Sequence, residues 1–586
     1  MISLGRILKA ALVAVVLAGS AYAVAKLNLF GLESASDRLA DRVYQRITAA
    51  DYGRDRKGQS RIRLVYLDDA SLEAMKGFGW KRFPPTFDQQ WTMLDDLMSV
   101  GGAPPSAMFV DFIYRGEGGE GDGFDTFVKG VGDATHASAW ADKPACLANP
   151  LIKLACIEQV GGVPIILAKP SPADLEMFTD VQRALDRVTV LAPALVGQEA
   201  YPTIMRYAFD KTKAERLGVH DFDVSPAMAM YAAYCLRRAD GCGVEGFRRL
   251  RTRAVAALAD KRMAPVFADA PERLSTVFKD PVDVVWGSRP DPAYLALTHA
   301  VTGKAAPCRG AGGGWIQRLG EQMAGSRAAG SGARQECPYT ESLGYDRLVS
   351  GEGLQAGDLK QLLAGKLVMV GGQFHASNDW VESPVHGQVP GVQYHAMALD
   401  NLVEDSAEYR RNASMFLDSD LLKALLIAAL AFCDVMAVMA RNSLLDHAFS
   451  RRAEEKLRVH VYGPLYLGLL LTSVGVIALA TWTGVALLHR SPINWIGLGF
   501  CAIGFLFYAT RQTLPADICG SVEHIALVRR IMAAGQRCRT ALKFEEDRLV
   551  APRPAPTSAS APRELSPTAS VSAKDQPPEV PVHVET

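Results

Sequence analysis

The chain has no net charge, its 63 Lys and Arg being matched by 63 Asp and Glu. Such a balance removes the electrostatic case for a nucleic-acid partner, which needs a surplus of basic side chains. No C-x-x-C pair occurs, so a structural zinc site is not expected, and neither a metal nor a cofactor is read from the residues. G-x-S-x-G and H-E-x-x-H are also missing, so neither a serine nucleophile nor a zinc-bound water has its usual framework. The run GGEGDG at 118–123 occurs once and lacks the aspartate of a calcium-binding repeat, which leaves it a loop.

What the sequence does contain is four apolar stretches, at 7–25, 421–440, 461–488 and 491–510, close to the ~20 residues of a helical span. Lys and Arg stay on the cytoplasmic side of short loops. The loop 441–460 carries Arg441, Arg451, Arg452, Lys456 and Arg458, whereas the tight loop between the third and fourth stretches offers mainly Arg490. Arg6 and Lys9 precede the first stretch, and Arg511, Arg529 and Arg530 follow the last. Both ends are therefore expected in the cytoplasm, with the large segment 27–419 outside it and a three-helix bundle over 420–511. The first stretch has two readings. Ala21-Tyr22-Ala23 suits signal peptidase, with cleavage after Ala23, while an anchor over 1–26 needs Lys9 to snorkel. The anchor is adopted here, and either choice leaves the large segment outside.

Cysteines agree with that compartment. Six of the ten lie in the outer segment as close pairs: Cys146 with Cys156, Cys235 with Cys242, Cys308 with Cys337. Three disulfides would persist only where thiols are not kept reduced. Sequential pairing is one of fifteen connectivities, and six buried thiols are the alternative. Cys433 and Cys501 fall in apolar stretches, and Cys519 and Cys538 belong to the cytoplasm.

Strand-like runs alternate with helical ones through the outer segment: IRLVYL at 62–67, AMFVDFI at 107–113, VPIILA at 163–168, residues 283–286 and KLVMVG at 366–371. Between the first two, Trp91, Leu94, Leu97 and Met98 recur at helical spacing. Continuous apolar strands separated by helices predict an α/β fold, a mainly parallel sheet with helices on both faces. Residues 115–360 are looser in texture and read as insertions into that sheet. Beyond the last apolar stretch, 512–550 is expected to hold a cytoplasmic helix, and the Pro/Ser/Ala-rich run 551–586 to be disordered.

The segment 365–401, with GKLVMVGG, HASNDWVESPV and PGVQYHAMALDNL just before the second apolar stretch, resembles the closing motif of the CHASE type 2 (CHASE2) sensory domain. LVYLDDASL at 64–72, Trp80 with Arg82, and MFVDFIY at 108–114 are similar to its opening. The resemblance implies an extracytoplasmic module of a bacterial inner-membrane signalling protein, facing the periplasm, preceded by one span and followed by three. Members are often Trp-Pro-Trp near Gly79–Pro84, where this chain is GWKRFP. Relatives usually carry a kinase or cyclase after the last span. Here no phosphoacceptor histidine box, Gly-rich nucleotide loop or GGDEF-like run follows residue 510, so the input half is expected to work without an output half of its own.

Asp68 and Asp69 end the first strand, Asp111 lies late in the second, and His375 and Asp379 follow the last; with Arg82 they form the candidate ligand-binding set. Groups beyond the carboxyl ends of parallel strands converge on one rim, where ligands bind. The competing reading is that Asp68 or Asp69 caps the next helix and that Asp111 bonds a nearby loop. His395 shares a helical face with Val392, Ala396 and Leu399, and is expected to be structural. Asp434 sits midway along the second stretch, where a carboxylate must be paired, protonated or turned inward, for instance toward Thr472 or Ser473.

The leading expectation is a non-enzymatic membrane sensor or adaptor that binds an unknown small ligand or envelope protein outside. It would signal to a cytoplasmic or membrane partner in trans, or to a second copy. An envelope hydrolase built on Asp68, Asp69, Asp111 and His375 and a structural scaffold of a membrane complex are the alternatives.

Overall fold

In the computed structural model, residues 32–53, 55, 57–80, 83–113, 123–170, 180–193, 200–206, 222–259, 269–292, 317–318, 338–350, 356–374, 379–411 and 454–486 are described, with isolated positions including His489. Strands β1 (Ile62–Asp68), β2 (Ala107–Val110), β3 (Ile165–Lys169), β4 (Val190–Pro193), β7 (Ser342–Gly344) and β8 (Leu367–Gln373) form one sheet. Its order is β4-β3-β2-β8-β1-β7, and every pairing is parallel. Two antiparallel pairs accompany it: β5 (Ile204–Arg206) with β6 (Phe222–Val224), and β9 (Trp380–Ser383) with β10 (Gly387–Pro390).

Side chains alternate along each strand, so one set of apolar residues feeds each face. Ile62, Leu64, Phe109, Ile166 and Met369 point to a core shared with the helices Pro150–Gln159, Pro226–Arg237, Glu245–Ala259 and Gly391–Asp405. Val65, Leu67, Met108, Val110, Leu167 and Val370 point to the other, under the helices Phe87–Ser99 and Phe124–Ala134. The expected α/β architecture with helices on both faces is what these residues build. Gly371 permits the closest contact in it: a Cβ there would stand 2.6 Å from the side chain of Val392, so the 391–405 helix rests on β8 because that position has no side chain.

The described parts of 115–360 supply β3, β4 and β7, and two of the expected disulfides close within them, Cys146–Cys156 and Cys235–Cys242. Cys308 and Cys337 lie outside the described residues. The expected strand at 283–286 is not one. Val282 makes only isolated bridges, to Tyr201 and Arg411. The physical reason is Asn401: its amide accepts from Val285 N–H at 2.7 Å and donates to Val285 C=O at 3.0 Å, the two bonds a neighbouring strand would make.

The helix Leu32–Thr48 is tied to this domain from the start. Arg410 is buried and pairs with Asp41 at 3.3 Å and with Asp283 at 2.7 Å. Arg46 donates to Pro384 C=O and Gln45 accepts from Trp286 N–H. Among the described residues no helix is long and apolar enough to cross a membrane. Within the helix Glu454–Ala486 side chains are described only at 468 and over 471–486, a piece shorter than the ~20 residues of a span. The other three apolar stretches lie almost wholly outside the described residues, as does the unit 510–586, which contains the expected helix at 512–550 and the tail.

Candidate functional site

β2, β8 and β1 are neighbours in the sheet, so their carboxyl ends share one rim. The expected set divides there. Asp68 caps the helix Asp69–Met75: its Oδ1 accepts from both Ser71 N–H and the Ser71 hydroxyl at 2.7 Å. Asp69, in the first turn of that helix, faces solvent. The capping alternative thus describes Asp68, and neither carboxylate joins Asp111. Arg82, His375 and Asp434 lie outside the described residues. In the 454–486 helix the Thr472 hydroxyl donates to Gly468 C=O, and Ser473 is buried.

Asp111 and Asp379 do come together. The Asp111 side chain is 7% exposed. Burial first, then the charge of Asp379, holds its carboxyl well above the ordinary carboxylate range. Asp379 is shifted the same way by burial, against a pull from the Gly391 N–H at the start of the 391–405 helix. A Cβ on Gly391 would come within 2.2 Å of Asp379 Oδ1, so the carboxylate lies directly on that helix end. Two neighbouring carboxyls held this way do not both ionise cheaply.

His395, about one turn into that helix, faces Asp111. Its Nε2 is 3.8 Å from Asp111 Oδ2, and its Nδ1 is 2.7 Å from the Tyr201 hydroxyl. The Tyr201 oxygen already accepts from Ala227 N–H at 3.1 Å and from the Ser225 side chain. Its own proton is therefore given to Nδ1, which leaves the hydrogen of the neutral imidazole on Nε2, toward Asp111. Burial pushes His395 down to about 3, so the ring is neutral. It is the partnered core histidine the helical pattern predicts, packed edge-on against Phe109 and Tyr201. Sequence reasoning did not find Tyr201, which lies at an isolated bridge far from any motif.

An aromatic group closes the rim. Phe112 follows Asp111, Phe374 follows β8, and Phe83 lies against both, with ring centroids 5.4 and 4.3 Å away. Phe83 is 39% exposed and Ile113 38%. Trp80 is not part of this group; it is buried and stacked on Tyr345. The arrangement presents an apolar, partly open face beside two carboxyls that burial disfavours in their ionised form. It can accept a hydrogen-bond donor or a cation.

The family profile of the CHASE2 domain matches residues 10–436. The chain belongs to the CHASE2 domain family. CHASE2 is a family of extracytoplasmic sensory domains rather than of catalytic ones. No curated protein and no solved structure matches the chain.

Proposed function

We propose that this CHASE2 protein is a bacterial inner-membrane sensor or adaptor: its periplasmic α/β domain takes a small ligand or envelope protein at the rim of Asp111, Asp379 and the Phe83 group. A packing change then passes through the bundle to a separate partner, or to a second copy. The observation that carries this reading is the family match over 10–436, which takes in most of the first apolar stretch and most of the second. The 454–486 helix supports it. Ser473, Ile477 and Thr481 are buried at four-residue spacing, while Leu471, Val474, Leu479 and Trp482 are more than half exposed. Polar groups inside and large apolar ones outside suit a helix that meets lipid. Arg411, at the end of the sensory domain, donates its N–H to the carbonyl of His489, beyond that helix, at 2.8 Å. That agrees with His489 lying on the outer side.

Two measurements test this. Protease added to spheroplasts should cut within 27–420 and spare 441–460; the reverse pattern sinks the topology. A thermal-shift screen of small ligands on the purified full chain should give at least one that raises the melting temperature, since a ligand binding only the folded state must do so. The shift should disappear in Asp111→Asn. A ligand whose shift survives that change binds elsewhere, and the rim assignment falls.

A further inference from the structure

A buried carboxylate ordinarily has a cation or a hydrogen-bond donor beside it, because an isolated charge is expensive to take out of water. The other deeply buried acids among the described residues follow that rule. Asp223 has Lys169 at 2.6 Å, Glu341 has Arg63 at 2.6 Å and Glu158 has Arg237 at 3.1 Å, while Asp400 takes the Tyr52 hydroxyl at 2.6 Å. Asp111 is the exception. Its side chain is as deeply buried, yet among the described residues no donor reaches its carboxyl: Nε2 of the neutral His395 stays at 3.8 Å, beyond a hydrogen bond. The group that joins it is a second acid, Asp379, which has the Gly391 N–H and, among the described residues, no cation.

Below the two acids the core is closed. Phe109, two residues back on the same face of β2, packs on His395, and Val392 covers Gly371 on the neighbouring strand. Toward the strand ends lie Phe83 and Ile113, both more than a third exposed. An occupant therefore enters with its polar end first and leaves an apolar part at the rim.

Building on the rim reading above, we propose that Asp111 and Asp379 hold the ammonium group of a small primary amine, whose apolar substituent lies toward Phe83 and Ile113. An ammonium carries three N–H donors on one atom, enough to serve both carboxyls, and brings the positive charge they lack. Carboxyls raised by burial and by each other are what two acids without a cation show. A hard metal ion fits less well. Calcium takes roughly six to eight oxygens, and His395 presents its N–H rather than a lone pair. Among the described residues no third ligating side chain joins the two acids.

Thermal shift of the purified full chain tests this, with n-butylammonium and phenethylammonium chloride as probes at fixed pH and ionic strength. Phenethyl alcohol, tetramethylammonium chloride and magnesium chloride serve as controls. At least one of the two primary amines should raise the melting temperature, and the controls should not. Asp111→Asn and Asp379→Asn keep the size of the side chain and an acceptor oxygen but lose the charge. Each should weaken the affinity read from the concentration dependence by roughly tenfold or more. Should a variant fail to fold, the comparison of amine with alcohol on the wild-type chain decides. An equal shift from phenethyl alcohol, tetramethylammonium or magnesium overturns the ammonium site, as does an amine shift that survives both substitutions. Silence from both amines overturns it too, while a different ligand lost in Asp111→Asn would leave the rim reading standing. Conversely, an amine bound through Asp111 in a chain whose segment 27–420 resists protease added to spheroplasts keeps the site and removes the sensor topology.

Discussion

The hydroxyl of Tyr201 lies 2.7 Å from Nδ1 of His395 and thereby fixes which nitrogen of the ring faces Asp111. A tyrosine on one loop thus sets the hydrogen-bonding character of a site whose carboxyls come from two other segments. The group behaves as one buried polar network, in which each member is expensive to strand.

Tyr201→Phe leaves Nδ1 of His395 and the Ala227 N–H without their partner. The loss should be about 1–3 kcal/mol in urea unfolding. Combined with His395→Leu, which removes the other side of the bond, the cost should be less than the sum of the single changes. Strict additivity would show that the two side chains act independently.

Because Asp111 is held above the ordinary carboxylate range, folding favours its protonated form. Stability contributed by that proton is present at low pH and lost as pH rises from 3.8 upward. The melting temperature of the wild-type protein should fall with rising pH, and Asp111→Asn should flatten the curve and melt higher than wild type at alkaline pH. A variant that melts lower at every pH would mean the charge, not the proton, is what the fold uses.

Removing Arg410 should be costly near neutrality, since Asp41 and Asp283 would then face each other without a cation. Arg410→Met is expected to lose about 3–5 kcal/mol, measured by denaturant unfolding. Asp41 is already raised to about 6, by burial and then by Asp283, so the penalty should shrink as pH falls below that value and Asp41 takes a proton. A penalty independent of pH would point to lost packing by the arginine stem instead.

Non-reduced peptide mapping should recover Cys146–Cys156 and Cys235–Cys242, and with them Cys308–Cys337 as a third bridge. Reduction should lower stability by about 2 kcal/mol for the short 235–242 loop and somewhat more for the 308–337 loop. Free thiols at all six positions would remove both the pairing and the compartment argued from it.

Much of the sheet was legible because its long strands are uninterrupted apolar runs, IRLVYL in β1 and VMVGG in β8. β4 and β7, at four and three residues, are too short to carry a period, and β7 is recognisable only because β1 supplies its partner. Residues 283–286 have a strand's composition, yet their bonds go to one side chain, Asn401, a choice no local pattern encodes. The rim was half readable. Position after a strand marked Asp68 and Asp111 alike, but Ser71, three residues on from Asp68, draws that carboxylate into a cap, whereas Asp111 has no such neighbour and meets Asp379. Tyr201 carried no signal because its role depends on what the sheet brings to it.

β8 lies between β1 and β2, although 256 residues separate Val110 from Leu367. A chain synthesised from its N-terminus therefore delivers the first two strands long before the one that joins them. Until residues 367–373 arrive, β1 and β2 have bare edges facing a gap one strand wide, the kind of surface that recruits foreign strands. Assembly of this domain is thus a waiting problem, and a chain interrupted before residue 367 would leave two half-sheets with nothing to close them.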